Sequence, residues 1–169
     1  MGTVVYEGAL NIRKAEPGDV PAILQCLREA FEPYREHYTP GAFLDTVPAL
    51  DDLQKRLANM CAFVATTSSG EIAGTIACNM VGFGEGHVRG MAVRTAWQGT
   101  GLAAELICSV ERELRAQGCS RVSLDTTPVL QRALRFYEKQ GFRRSGKVAD
   151  FFGMELIEYV KALAPGLDV

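Results

Sequence analysis

The chain has 169 residues, room for one domain rather than two. At that length a fold buries roughly 70% of the surface its unfolded chain exposes, and 47% hydrophobic with 22% charged residues is an ordinary soluble composition that argues against disorder. Twenty acidic against eighteen basic residues give a net charge of −2, so charge makes no case for a nucleic-acid partner.

The longest run without a charged residue, Leu57 to Gly70, is fourteen residues and ends in Thr66-Thr67-Ser68-Ser69-Gly70, too short and polar for a bilayer. No basic region followed by an apolar core opens the chain, so no signal peptide is read, and Met1-Gly2 lacks the Ser or Thr at position 6 that myristoylation wants. The five cysteines, Cys26, Cys61, Cys78, Cys108 and Cys119, are odd in number and form no C-x-x-C. They read as thiols in a reducing cytoplasm, and with His37 and His87 they share no metal-ligand spacing.

In chain order, Leu10 to Ala15 alternates as a short strand. A helix then starts at Pro17-Gly18-Asp19, with Val20, Ile23, Leu24, Leu27, Ala30 and Phe31 on one face. Pro33, Pro40, Gly41 and Pro48 break up the next stretch, and a second helix covers Ala49 to Asn59. Cys61–Thr67 and Glu71–Met80 form a hairpin around Ser68-Ser69-Gly70. Gly82, Gly84 and Gly86 mark a loop before a strand from His87 to Val93. From Gly101 a helix carries Leu102, Leu106, Ile107, Val110 and Leu114 on one face and closes at Gln117-Gly118. Arg121–Asp125 is a strand, Pro128 opens a helix to Gln140, and strands Phe142–Val148 and Phe152–Lys161 follow, with a tail over Ala164 to Val169.

The most informative segment runs from Met91 to Ala103, where a strand enters glycine-rich chain and then an amphipathic helix. Such a turn presents backbone N–H groups at the positive end of a helix with no Cβ to block approach, a cradle for phosphate; an unliganded strand-to-helix turn would use the same glycines. Gly-Lys-Ser/Thr is missing, which excludes a P-loop. Gly99-x-Gly101-x-x-Ala104 fits a dinucleotide fingerprint with Asp125 as the ribose acid. Against that stand the five residues Arg94–Gln98 between strand and Gly99, and only 44 residues after Asp125 for the remaining βαβ units.

The segment Gln98-Gly99-Thr100-Gly101-Leu102-Ala103 also resembles the Q/R-x-x-G-x-G/A loop of the GCN5-related N-acetyltransferases, preceded by Met91-x-Val93. Downstream, Ala133-x-x-Phe136-Tyr137-Glu138-Lys139-Gln140-Gly141-Phe142 is similar to that family's second signature, and the order of elements over about 10–161 is the family's order. The resemblance implies a central, mostly antiparallel, splayed α/β sheet of six to seven strands flanked by four helices. It implies acetyl-CoA as co-substrate, its pyrophosphate on the backbone of Gln98, Gly99, Thr100, Gly101, Leu102 and Ala103 and its pantetheine paired with the main chain of Met91, Ala92 and Val93.

By the same resemblance Tyr137 stands near the thioester sulfur, where a phenol can donate to the departing thiolate. The asparagine often found three residues before the signature alanine is Leu130 here, with Gln131 adjacent as a substitute contact. Some members carry a glutamate base eleven residues before the loop glutamine, and that position is His87. A histidine suits a base near neutral pH, titrating between about 6 and 8. Glu85 is the reserve and Asp125 a third candidate.

The reading is thus a single cytoplasmic domain that moves acetyl to a primary amine of a small molecule or peptide by direct attack, without a metal, a nucleic acid or a membrane. A homodimer is among the expectations, since many members pair. A nicotinamide-dependent oxidoreductase and a non-catalytic acyl-CoA sensor are the competing classes. In this family the stretch from Arg28 to Arg56 lines the acceptor side; its six acids, four bases and several aromatics leave the amine open.

Overall fold

The computed structural model describes residues 10–165. Met1-Gly2 and the tail beyond Pro165 fall outside the described residues. The strands are β1 (Asn11–Lys14), β2 (Cys61–Thr66), β3 (Ile72–Gly82), β4 (Glu85–Val93), β5 (Arg121–Thr126), β6 (Arg143–Phe151) and β7 (Met154–Ala162). The helices are α1 (Val20–Phe31), α2 (Pro40–Thr46), α3 (Leu50–Leu57), α4 (Leu102–Ala116) and α5 (Gln131–Lys139).

All seven strands share one sheet in the order β1-β2-β3-β4-β5-β7-β6, antiparallel throughout except where β4 meets β5. The two faces bury separate cores, and β2 shows why its sequence is a nearly unbroken apolar run. Phe63 and Ala65 point into the core under α4 and α5, while Val64 between them points into the core under α1, α2 and α3. The apolar stripe of α1 buries Val20, Ile23, Leu24 and Leu27, and that of α4 buries Leu102, Leu106, Ile107, Val110 and Leu114. Glu111, buried among the α4 residues, is satisfied by Lys161 of β7 at 2.6 Å.

Three details depart from the sequence reading. The expected four helices are five, because Pro40 opens α2 instead of breaking the chain. It stands in the first turn, where a missing N–H costs nothing, and Thr39 caps the helix by accepting from the Ala42 N–H at 3.3 Å. Strand β4 starts at Glu85, so Gly86 is a strand residue and not part of a loop. Glycine is required there by close packing: a Cβ would lie 2.5 Å from the Leu114 side chain of α4. The last hairpin turns at Phe152-Gly153, later than expected, with both residues at positive φ (52° and 88°).

That hairpin tip docks on α2. The Phe152 ring sits so close to Gly41 that a Cβ would come within 2.6 Å of it, and the Thr39 N–H points at Met154 Sδ (3.4 Å). The outer strand β6 is exposed over most of its length, and its register with β7 shifts between Arg144 and Val148. No helix among the described residues is long and apolar enough to cross a membrane.

Candidate active site

Strand β4 pairs with β5 only from Glu85↔Arg121 to Val88↔Leu124. Beyond that point the two strands part, β5 continuing along β7 to Thr126↔Ile157. On its other side β4 carries one extra residue, pairing Arg89 with Ala77 but Ala92 with Thr75, and Gly90 takes φ 67° at this bulge. The result is a wedge between β4 and β5 in which the β4 main chain from Arg89 to Val93 has no strand partner on its β5 side. Met91, Ala92 and Val93, expected to offer backbone to a ligand, lie along this open edge.

The same strand leads into the glycine turn. Gly99 and Gly101 adopt φ 77° and 87°, a region that side-chain-bearing residues avoid, and a Cβ on Gly101 would meet nothing within 4 Å. These glycines therefore serve backbone shape and not packing. The first helical bond of α4 runs from the Glu105 N–H to the Gly101 carbonyl at 3.3 Å, so the N–H groups of Leu102, Ala103 and Ala104 precede the ladder at the positive end of a fifteen-residue helix. Gln98 clamps the turn: its amide donates to the Val93 carbonyl (3.1 Å), and its oxygen accepts from Arg132 of α5 (3.4 Å). The Thr100 hydroxyl donates to the Trp97 carbonyl.

Between the strands lies a cleft of about 320 Å³ lined by His87, Arg89, Met91, Asp125, Leu130 and Tyr137, among others. Tyr137 is partly buried against Phe136, Phe142 and Tyr159. Its hydroxyl donates to Met91 Sδ at 3.9 Å, a weak bond that a better acceptor displaces. Burial, aided by nearby Tyr38, pushes its phenol up to about 12. Thr126 Oγ1 is buried in the cleft wall with no hydrogen-bond partner among the described residues, and the buried Thr127 side chain stands beside the Tyr38 hydroxyl. An orphaned hydroxyl beside an open strand edge fits a ligand rich in amides.

The His87 side chain is 22% exposed, on the floor of the wedge. Its Nδ1 lies 2.9 Å from Ser123 Oγ, which itself lies 3.5 Å from the Gly86 carbonyl. Nε2 lies 3.6 Å from Asp125 Oδ2, and the direction of the Ser123 bond sets which ring nitrogen holds the proton. Burial lowers the His87 pKa more than Asp125 and Glu158 raise it, and Arg89 adds to the lowering. Burial and Glu158 raise Asp125, while His87, Lys147 and Arg89 oppose this. The pair thus titrates as a unit, each member drawn toward the other. Glu85 does not join them: it is exposed at the far end of β4, 3.5 Å from Arg121, and outside the cleft. Gln131 also turns away, donating to the Pro128 carbonyl (2.5 Å), while Leu130 faces the cleft.

Sequence reasoning missed the opposite wall. Asp45 at the end of α2 accepts from Arg89 of β4 at 2.9 Å, and Arg56 of α3 donates to its carbonyl at 3.1 Å and lies 3.6 Å from its carboxylate. Tyr38 is buried beside them. Only the charged, aromatic character of the 28–56 stretch hinted at this wall.

A mixed sheet with one parallel pair, splayed beside a glycine turn at a helix start, does not fit the doubly wound sheet of a dinucleotide enzyme. The model of the acetyltransferase (GNAT) family matches residues 21–142, and the chain belongs to that family. It is 27% identical over 142 residues to glucosamine 6-phosphate N-acetyltransferase of Trypanosoma brucei brucei, covering 79% of this chain and 89% of the relative. Among solved structures it is similar to the paia N-acetyltransferase of Thermoplasma acidophilum in complex with coenzyme A (TM-score 0.74, 17% identity, 91% of this chain and 99% of that one). The ribosomal-protein-S18-alanine N-acetyltransferase of Escherichia coli is comparable (TM-score 0.73, 19% identity, 95% and 98%). These two likenesses speak for the fold.

Proposed function

We propose that this acetyltransferase moves the acetyl group of acetyl-CoA to a primary amine by direct attack, with both substrates in the β4–β5 wedge. The open main-chain edge of β4 beyond Val88 carries the reading, since it meets the glycine turn at one end and the His87–Asp125 pair at the other. The co-substrate supplies an activated acetyl thioester. The turn from Gln98 to Ala103 holds its pyrophosphate by backbone N–H groups, and Met91 to Val93 hold its amide arm as an added strand.

His87 Nε2, backed by Asp125, takes a proton from the amine, most of which arrives protonated at neutral pH. As the C–N bond forms and the C–S bond breaks, the departing sulfur needs a donor, and Tyr137 is placed to be one. A phenol at about 12 is protonated at every working pH. Burial makes the Tyr137 phenol hold its proton more tightly than a thiol does, so it stabilises the sulfur through an O–H···S bond and keeps its proton. The second proton, shed by the nitrogen as the amide forms, passes through water to the released thiolate, and His87 returns the first to solvent. None of Cys26, Cys61, Cys78, Cys108 or Cys119 lines the cleft, which accords with direct attack.

A thiol-release assay with acetyl-CoA and a panel of primary amines tests this reading, alongside equilibrium binding of acetyl-CoA. Tight binding with no thiol released by any amine would make the protein an acyl-CoA sensor.

A further inference from the structure

The acceptor wall sets two arginines on one close carboxylate. Asp45 is shared by two guanidiniums, Arg89 at 2.9 Å and Arg56 at 3.6 Å, and all three residues line the cleft. Asp125, at the other end of the cleft, also feels the Arg89 charge, so the cleft as a whole sets two carboxylates against two guanidiniums. Asp52, one turn back on α3, also attracts Arg56, but it is exposed and outside the cleft. The Arg56 side chain is only 20% exposed, and burial together with the Arg89 charge holds its guanidinium below the ordinary value in spite of both acids. Two guanidiniums that share one close carboxylate keep N–H donors for an incoming anion where water is thinned, and a guanidinium fork matches carboxylate and phosphate oxygens alike.

The other end of the cleft has the opposite character. Two residues back along β4, about 7 Å between Cα atoms, His87 faces Asp125, with Glu158 close enough to affect both. A cationic amine is attracted there before it loses its proton. The cleft volume of about 320 Å³ lies at the small end for ligand sites and suits a metabolite.

We propose that the acceptor is a small amine bearing an anionic group, carboxylate or phosphate, bound by Arg56 and Arg89 while its amine lies beside His87 and Asp125. This deepens the acetyl-transfer reading and rests on it for the chemistry, though not for the binding.

Amines that differ only in the anion test it: glucosamine 6-phosphate against glucosamine, and β-alanine against its amide. Titration calorimetry with coenzyme A present should show the anionic member of at least one pair bound tenfold or more tightly, and which pair discriminates tells phosphate from carboxylate. Arg56→Gln and Arg89→Gln should each reduce that difference below threefold, with the affinity for coenzyme A showing that the fold is intact. Asp45→Asn, which removes the carboxylate both arginines share, should tighten the anionic member, a sign that damage to the wall does not produce. Equal affinities within both pairs, or arginine variants that weaken anionic and neutral amines alike, would overturn the proposal. Thiol release judges the other reading separately: discrimination in binding with no acetyl transfer to any of the four amines would leave the anion site standing and remove the transferase role.

Discussion

The two halves of the cleft are made of different material. On the proposed co-substrate side the groups on offer are main chain: the unpaired edge of β4 and the N–H groups at the start of α4, shaped by Gly99 and Gly101. On the acceptor side they are side chains, Asp45, Arg56 and Arg89, delivered by α2, α3 and β4 and held together by ion pairs. A backbone site tolerates exchange of its side chains and fails when its shape is lost. A side-chain site can change its ligand by single substitutions while the fold stays.

The largest expected effect tests the backbone half. Gly101→Glu places a carboxylate where phosphate belongs, and calorimetry should find no measurable acetyl-CoA binding. Because φ is 87° at this position, any side chain adds strain of about 1–2 kcal/mol. Gly101→Ala is the control: it should lower the melting temperature similarly and still bind. If the alanine and glutamate variants bind equally well, the turn is not the phosphate cradle.

Next in size is Tyr137→Phe, which keeps the ring packing and removes the donor. We expect kcat to fall by roughly 10- to 10³-fold with little change in Tm. Lost stability at unchanged kcat would return Tyr137 to the core.

A smaller effect concerns pH. Burial depresses His87, so its neutral, proton-accepting form persists to lower pH than in a free histidine. kcat/KM should therefore rise with pH through an apparent value below the usual ~6.5, lower than most of the range the sequence suggests. His87→Gln should abolish this limb. Asp125→Asn should shift it to still lower pH, because the carboxylate raises the imidazole pKa. Two acceptors of different pKa must be compared; a limb that follows the amine and survives in His87→Gln would make His87 structural.

The smallest effect sharpens the contrast directly. Gln98→Ala removes a clamp of the turn, worth about 1 kcal/mol, while leaving its backbone donors in place. Acetyl-CoA affinity should drop no more than about fivefold. A loss near that of Gly101→Glu would mean that the side chains make the co-substrate site after all.

This difference in material also explains what could be read from the sequence. Backbone sites need glycine at fixed spacing, so Gly99-Thr100-Gly101 and the strand before it are visible as a pattern. The stripes of α1 and α4 and the apolar run of β2 were equally legible, since each records which faces are covered. The proposed acceptor wall left no such pattern: Asp45 and Arg89 are 44 residues apart and meet only because the fold brings the end of α2 within reach of the Arg89 side chain. Helix α2 itself hid behind Pro40, whose helix-starting role depends on the Thr39 cap and not on proline alone. Gly86 looked like a loop residue because the side chain that demands it, Leu114, comes from another element.

The outer strand β6 has a consequence for solubility. A sheet edge is a template on which a stray strand from another molecule can grow, and a nine-residue edge would be a long one. Here Arg143, Arg144, Lys147 and Asp150 place charge along it, and the shift of register around Gly146, at φ 93°, bends the line of hydrogen-bonding groups out of true. The opposite edge, β1, is only four residues long. Both ends of the sheet are thus poor seeds for strand-by-strand aggregation, and the unpaired stretch of β4 lies inside the wedge, where a ligand can cover it.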